Sequence, residues 1–144
     1  MLAIVRPDSW NFPLFLHVLG ATLVTGATAA AFVGAVSSRR WPWLRRVVAR
    51  TLLLGTFPAW ILMRLGGAWE DSRSSIGDGS TWLGIGYLVG DVGFVLLIVA
   101  MILAAVSVRR TERRWPIQAV AIITGVYFIA LLVAAFAMTG KPGS

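Results

Sequence analysis

The chain contains no cysteine and a single histidine, and both shortages restrict its chemistry. Without cysteine there is no disulfide, no thiolate metal ligand and no cysteine nucleophile. With His17 as the only histidine, a site built from several histidines of one chain is excluded. No phosphate-binding loop, dinucleotide-binding motif or haem-attachment motif is present either. We therefore assign no catalytic residue and expect no metal site.

Charged residues are also scarce. They make up 13% of the 144 residues, whereas soluble domains contain about 25%. Hydrophobic residues make up 58%, and the mean hydropathy is +0.80. The apolar residues fall in four long stretches, at residues 12–36, 47–65, 82–108 and 117–138. Stretches of about 18 residues or more predict transmembrane helices, because a backbone in lipid must satisfy its hydrogen bonds internally. We expect an all-α, integral membrane four-helix bundle that forms a single domain over residues 1–144.

Arginine is concentrated in two of the three segments that connect these stretches. The arginines between the first two helices are Arg39, Arg40, Arg45, Arg46 and Arg50. Those between the last two are Arg109, Arg110, Arg113 and Arg114, with Glu112 as the only acid. The middle segment carries Glu70, Asp71 and Asp78 against Arg73. The positive-inside rule places both arginine-rich segments in the cytoplasm, which predicts a multi-pass protein of the cell membrane with both termini outside.

The formal net charge of +7 comes mainly from these arginine-rich segments. In a membrane protein, such segments bind the anionic headgroups of the bilayer. A nucleic acid is not an expected partner, because no basic surface studded with aromatic residues extends beyond them.

A four-residue motif, Arg-Arg-Trp-Pro, occurs at residues 39–42 and again at residues 113–116. Each copy precedes the second helix of a pair, where proline is tolerated because the first turn has no partner for its missing N–H. The offset between the copies is close to half the chain, which favours two duplicated helical hairpins. Similar loops that arose independently are the alternative.

Three ionisable residues are expected at one depth in this arrangement. His17 and Asp91 precede their copies of the motif by equal lengths of chain, and Arg64 follows Pro42 by the same length. That separation corresponds to about 33 Å of helix, which reaches the outer boundary of a hydrocarbon core about 30 Å thick. We expect His17, Arg64 and Asp91 to form a polar cluster near the outer interface, with Asp91 paired to Arg64 and His17 hydrogen-bonded to the carboxylate. Alternatively, Arg64 extends to the outer headgroups and Asp91 pairs structurally.

Small residues recur at four-residue spacing in every predicted helix. They are Gly26, Ala30 and Gly34; Gly55 and Ala59; Gly86 and Gly90; and Ala121 and Gly125. In lipid, such spacing permits close contact between helices and predicts tight packing within the bundle, with homodimerisation as the alternative. Pro58 predicts a kink in the second helix, because it removes a hydrogen bond in mid-helix.

The first span carries the residues Phe15-Leu16-His17-Val18-Leu19-Gly20-Ala21, with Gly26 after them. This Leu-His-x-x-Gly pattern resembles uncharacterised four-span families of small bacterial membrane proteins. It also resembles copper-resistance D-type proteins and the J-type membrane protoporphyrinogen oxidase. The J-type pattern pairs its histidine with a basic residue in a later span, where this chain has Asp91. The copper-resistance type would require further metal ligands, and this chain has no other histidine or cysteine.

Three functions are compatible with these residues. A non-enzymatic accessory subunit or small transport component is favoured, because the helices carry packing motifs without a recognisable catalytic set. A haem-binding or oxidoreductase protein would use His17 as an axial ligand, with any second histidine from another chain. Proton or anion handling would use His17, Arg64 and Asp91. No cofactor other than haem is expected, and the protein partner would be a second copy or a larger membrane complex.

Overall fold

The computed structural model describes residues 8–72 and 81–140, and their side chains from 12 to 72 and from 83 to 140. These residues are almost entirely helical, and no strand occurs among them. In chain order the elements are α1 (Asp8–Ser37), α2 (Leu44–Arg50), a π-helical segment (Thr51–Thr56), α3 (Phe57–Asp71), α4 (Thr81–Arg109) and α5 (Trp115–Gly140). Since α2, the π-helical segment and α3 continue one another, the prediction of an all-α four-helix bundle is confirmed.

Within the described residues, four helices are long and apolar enough to cross a membrane. They are Phe12–Ser37, Leu44–Asp71, Leu83–Arg109 and Trp115–Gly140. In the most apolar part of each, 28% of the residues are buried, so most of the apolar surface faces outward. Such a surface is unfavourable in water and is compatible with lipid. The chain is therefore a multi-pass membrane protein, and its assignment to the cell membrane stays a prediction.

The second span is longer than the hydropathy pattern predicted. The apolar stretch covers residues 47–65, whereas the helix runs over Leu44–Asp71. Charged residues such as Arg45 and Glu70 end the apolar run and nevertheless continue the helix, because arginine and glutamate are good helix formers. Hydropathy therefore located the part of the helix that suits lipid and missed its polar ends.

The two arginine-rich turns lie at the same end of the bundle, since Arg45 contacts the turn that joins α4 to α5. Asp71 lies at the opposite end, where α3 finishes. The prediction that the arginine-rich end is cytoplasmic depends on charge alone. Two residues that entered that argument, Arg73 and Asp78, lie outside the described residues.

Pro58 coincides with a change in helical pitch. The π-helical segment, Thr51–Thr56, ends just before it, and the N–H of Phe57 bonds to the carbonyl of Leu52, five residues back. The wider turn allows the chain to pass the proline, which has no N–H to donate. The structure thus places a π-helical segment before the proline, and the kink itself stays a prediction.

Helices α1 and α3 pack closely against each other at two glycines. A methyl group at Gly20 would overlap the backbone of Met63, and one at Gly66 would lie 2.5 Å from the backbone nitrogen of His17. Of the predicted small-residue row on α1, Gly34 meets Val48, whereas Gly26 faces open space. The prediction of bundle packing by this row is therefore confirmed at Gly34 and wrong at Gly26, because the face of α1 that includes Gly20 is the one that packs against α3.

The core between the helices is built from small and aliphatic side chains in two clusters. The cluster nearer the arginine-rich end consists of Ala31, Ala35, Val48, Leu52, Leu97, Ala100, Ala104, Ile117 and Val120. The other consists of Val24, Ala59, Met63, Tyr127 and Leu131. Alanine at many of these positions permits short distances between helix axes, which is how van der Waals packing replaces the hydrophobic effect in lipid. The second cluster supports the α1–α3 contact and so positions the polar residues at that end.

Candidate functional site

A chain of polar side chains joins α3 to α4 at the end of the bundle away from the arginine-rich turns. We call Arg64, Asp71, Tyr87 and Asp91 the α3–α4 polar cluster. Arg64 and Asp71 are two helical turns apart, and Tyr87 and Asp91 are one turn apart, so each pair lies on one face of its helix. Because the helices are antiparallel, Arg64 faces Asp91 and Asp71 faces Tyr87.

Arg64 and Asp91 form an ion pair across the two helices. The Arg64 Nη2 atom lies 2.8 Å from Asp91 Oδ1. Gly90 makes room for the long arginine side chain, since a methyl group there would lie 3.3 Å from Arg64 Cδ. The pair is a charge-assisted hydrogen bond, the stronger kind of polar contact between helices.

Tyr87 connects this ion pair to a second carboxylate. Its hydroxyl donates a hydrogen bond to Asp71 Oδ2 at 2.7 Å. The face of its ring receives the Arg64 guanidinium, whose central carbon lies 5.1 Å from the ring centre. This is a cation–π geometry. A single arginine therefore holds two carboxylates in place, one directly and one through the tyrosine.

Trp60 fixes the spacing between α3 and α4 beneath the cluster. Its indole N–H donates to the carbonyl of Gly90 at 3.0 Å. Its ring packs on Phe94, with the ring centres 4.7 Å apart. The spacing of Trp60 and Arg64 in the sequence suggests a cation–π contact between them, whereas the guanidinium lies over Tyr87.

His17 belongs to α1 and contacts a different face of α3. Its Nδ1 lies 2.8 Å from the carbonyl oxygen of Met63, so the ring donates its Nδ1–H there. Gly66 and Gly67 supply the room, since a methyl group on Gly67 would lie 2.8 Å from the same Nδ1 atom. Of the three residues predicted to cluster, the structure brings Arg64 and Asp91 together. It places His17 against the α3 backbone in place of the expected bond to the carboxylate.

The exposure of the ion pair is uneven. The Arg64 side chain is 30% exposed and that of Asp91 is 63% exposed. The neighbours of Asp91 along the same face of α4, Leu88 and Val95, are exposed as well. The carboxylate therefore lies on the surface of the bundle, in a stripe that is otherwise apolar.

Sequence reasoning identified the ion pair more readily than its surroundings. Tyr87 shares a helical face with Asp91, which is a usable signal. No sequence pattern pointed to Asp71, because its contact with Tyr87 depends on how α3 and α4 pack against each other. Among the described residues, no group of three or more histidine, aspartate or glutamate side chains could hold a metal ion.

Comparison of the chain with models of protein families, with curated proteins and with solved structures finds no match. The resemblance of the first span to known membrane families therefore stays a prediction, and functional inference depends on the geometry described above.

Proposed function

We propose that the protein is a non-enzymatic accessory subunit or small transport component, and that another membrane protein packs against α4 at Asp91. The observation that carries this proposal is the exposure of Asp91, at 63%, within an apolar stripe. A carboxylate in an apolar stripe at the edge of the hydrocarbon core is unfavourable when it lacks partners, and ionisable residues of transmembrane helices normally face a protein interior or a partner. Arg64 satisfies Asp91 from one side only. The partner of the proposal is a transmembrane helix with a hydrogen-bond donor opposite Asp91.

Site-specific photo-cross-linking in native membranes tests the proposal. A photoreactive residue in place of Leu88, one turn from Asp91, is expected to give an adduct of one defined mass. The matched control is a photoreactive residue in place of Ile122, which is equally exposed but lies on α5. We expect no defined adduct there. The Leu88 adduct should disappear when Asp91→Asn is added, because the partner's donor then loses the carboxylate charge.

The outcomes separate the alternatives clearly. An adduct of twice the mass of the chain would identify a second copy as the occupant and replace the accessory-subunit proposal with a homodimer. Equal adducts at both positions, or a Leu88 adduct that persists in Asp91→Asn, would contradict a docking site built around this carboxylate.

Proton or anion handling is a second candidate, and the Arg64–Asp91 pair favours it. A paired carboxylate and guanidinium can exchange an internal partner for an anion or a proton. In proteoliposomes, the wild-type chain is expected to raise proton or chloride flux above that of empty vesicles, and Asp91→Asn to abolish the increase. Identical fluxes in the two proteins would exclude this candidate.

Haem binding through His17 is a third hypothesis. Since Nδ1 donates its hydrogen to the Met63 carbonyl, the neutral ring has its free lone pair on Nε2. Histidines that bind metals commonly have this arrangement. The absorbance spectrum of the purified protein tests haem binding directly. The absence of a Soret band in protein isolated from cells supplied with haem would contradict this hypothesis.

A further inference from the structure

A second polar site lies at the opposite end of the bundle, among the arginines. A pocket of about 260 Å³ opens between the end of α1, the start of α2 and the turn that joins α4 to α5. Its polar lining consists of Ser38, Arg39, Arg45, Thr111, Arg114 and Gln118. Arg39 comes from the first copy of the Arg-Arg-Trp-Pro motif and Arg114 from the second. The two copies therefore meet at one pocket.

Arg45 forms the base of this site and is almost fully buried, with 7% of its surface exposed. Its Nη1 donates to the carbonyl of Thr111 at 2.9 Å and to that of Ser107 at 3.2 Å. A longer contact of 3.5 Å reaches the carbonyl of Arg113. These bonds hold the guanidinium rigidly but supply no negative charge.

One N–H donor of Arg45, at Nε, is buried and lacks a partner among the described residues. A buried donor without an acceptor is unfavourable, and a buried charge without a counterion is more so. An anion in the pocket would supply the missing charge.

The charges around the pocket all favour an anion. Arg39 and Arg114 add two more guanidinium groups, and none of the described residues that line the pocket is acidic. Glu112 is exposed on the same turn and lies outside the lining. Guanidinium groups match the oxygens of a phosphate in a two-pronged geometry. The site therefore suits a phosphate group.

The position of the pocket indicates where that phosphate is found. Trp41, Trp43 and Trp115 are exposed around the same end of the bundle. Exposed tryptophans of a membrane protein lie at the level of the lipid headgroups. The pocket is thus at the depth where phospholipid phosphates occur, and it also opens to solutes near the membrane surface.

We propose that Arg39, Arg45 and Arg114 bind one phosphate group in this pocket, from an anionic lipid headgroup or from a soluble phosphate. The proposal is independent of docking at Asp91, which lies at the other end of the bundle. It differs from general attraction between basic loops and the bilayer, because it assigns binding to two exposed arginines and one buried arginine out of the nine in the two arginine-rich segments.

Matched charge removal provides the test. The pocket variant is Arg39→Gln/Arg114→Gln, and the control variant is Arg46→Gln/Arg110→Gln, which removes the same charge from exposed positions outside the pocket. Arg45 is retained in both, because its bonds to carbonyls support the fold. Unchanged thermal melting in nanodiscs of phosphatidylcholine alone verifies that both variants fold. If the pocket variant does not fold, the single variants Arg114→Gln and Arg110→Gln replace the two pairs.

Two ligands distinguish the source of the phosphate. Native mass spectrometry measures binding of phosphatidylglycerol added to detergent-solubilised protein. Thermal melting in dodecyl maltoside, a detergent without phosphate, measures binding of inorganic phosphate. For the ligand that is used, we expect one bound molecule and an affinity weakened about tenfold in the pocket variant, with a change below about twofold in the control.

Each result has a definite meaning. Selective loss of phosphatidylglycerol binding supports the site with a lipid as its ligand, and selective loss of the inorganic phosphate effect supports it with a soluble phosphate. Equal loss in both variants would show attraction to surface charge only and overturn the proposal. Absence of binding by either ligand to the wild-type protein would overturn it as well.

Discussion

Arg45→Met is expected to lower the free energy of unfolding by about 3 kcal/mol, from the loss of charge-assisted bonds to the carbonyls of Ser107 and Thr111. Both carbonyls lie at or just beyond the end of α4, where backbone acceptors have no helical partner. The positive charge also interacts favourably with the C-terminal end of that helix. Methionine fills a similar volume but donates no hydrogen bond, so the buried Ser107 carbonyl would be left unsatisfied and the part-buried Thr111 carbonyl would lose its charged donor.

The midpoint of unfolding in mixed micelles of dodecyl maltoside and sodium dodecyl sulfate measures this effect. Arg46→Met is the control, because Arg46 is the next residue in α2 and is exposed. It should change the free energy of unfolding by less than about 0.5 kcal/mol. Arg45→Lys should fall between the two, since lysine keeps the charge but lacks the planar fork. Equal midpoints for Arg45→Met and Arg46→Met would show that the buried bonds contribute nothing to stability.

Arg64→Leu is expected to destabilise the bundle by about 1–2 kcal/mol, the upper part of the range for polar contacts between transmembrane helices. The substitution leaves Asp91 unpaired on an apolar surface and removes the cation from the face of Tyr87. Asp91→Leu should cost less, because the released Arg64 can extend its guanidinium to the interface. The double variant should lose less free energy of unfolding than the sum of the two single losses, because it contains no unpaired carboxylate.

A double-mutant cycle on unfolding in the same mixed micelles gives the coupling between the two residues. We expect a coupling of about 1 kcal/mol, since the groups touch directly. Strict additivity would show that the 2.8 Å contact adds no stability and that Asp91 is held for another purpose. In that event, the exposure of the Asp91 side chain would give further support to a partner or a transported ion.

The distance of the ionisable residues from the arginine-rich turns and the pairing of Arg64 with Asp91 were predictable from the sequence. The contacts of His17 and Asp71 were not. The constant rise per residue of an α-helix determines how far Arg64 and Asp91 lie from the arginine-rich turns. The rotation of each helix about its axis depends on which small residues face one another. Gly20 and Gly66 bring α1 against α3 and so direct His17 to the Met63 carbonyl. Asp71 entered the polar cluster only because α4 places Tyr87 beside it.

For the arginines, too, the sequence predicted the general location and only the structure showed the individual contacts. As a set, they predicted which two turns lie at one end of the bundle, because cations collect on one side of a membrane protein. The sequence does not distinguish Arg45 from Arg46, since both follow the first motif in a basic run. Packing separates them: Arg45 is buried against the end of α4, and Arg46 is exposed. The phosphate pocket depends on that difference.

By itself, the sequence determined that four apolar helices form and that the arginine-rich turns share one end, because length, hydropathy and charge act along each segment separately. The sequence also predicted the pairing of Arg64 with Asp91, and the structure brings these two side chains together. Only the tertiary structure decided that His17 contacts the Met63 carbonyl, that Tyr87 binds Asp71 and that Arg45 is buried beside an open pocket. Those outcomes depend on the rotation and approach of neighbouring helices, which are properties of pairs of segments.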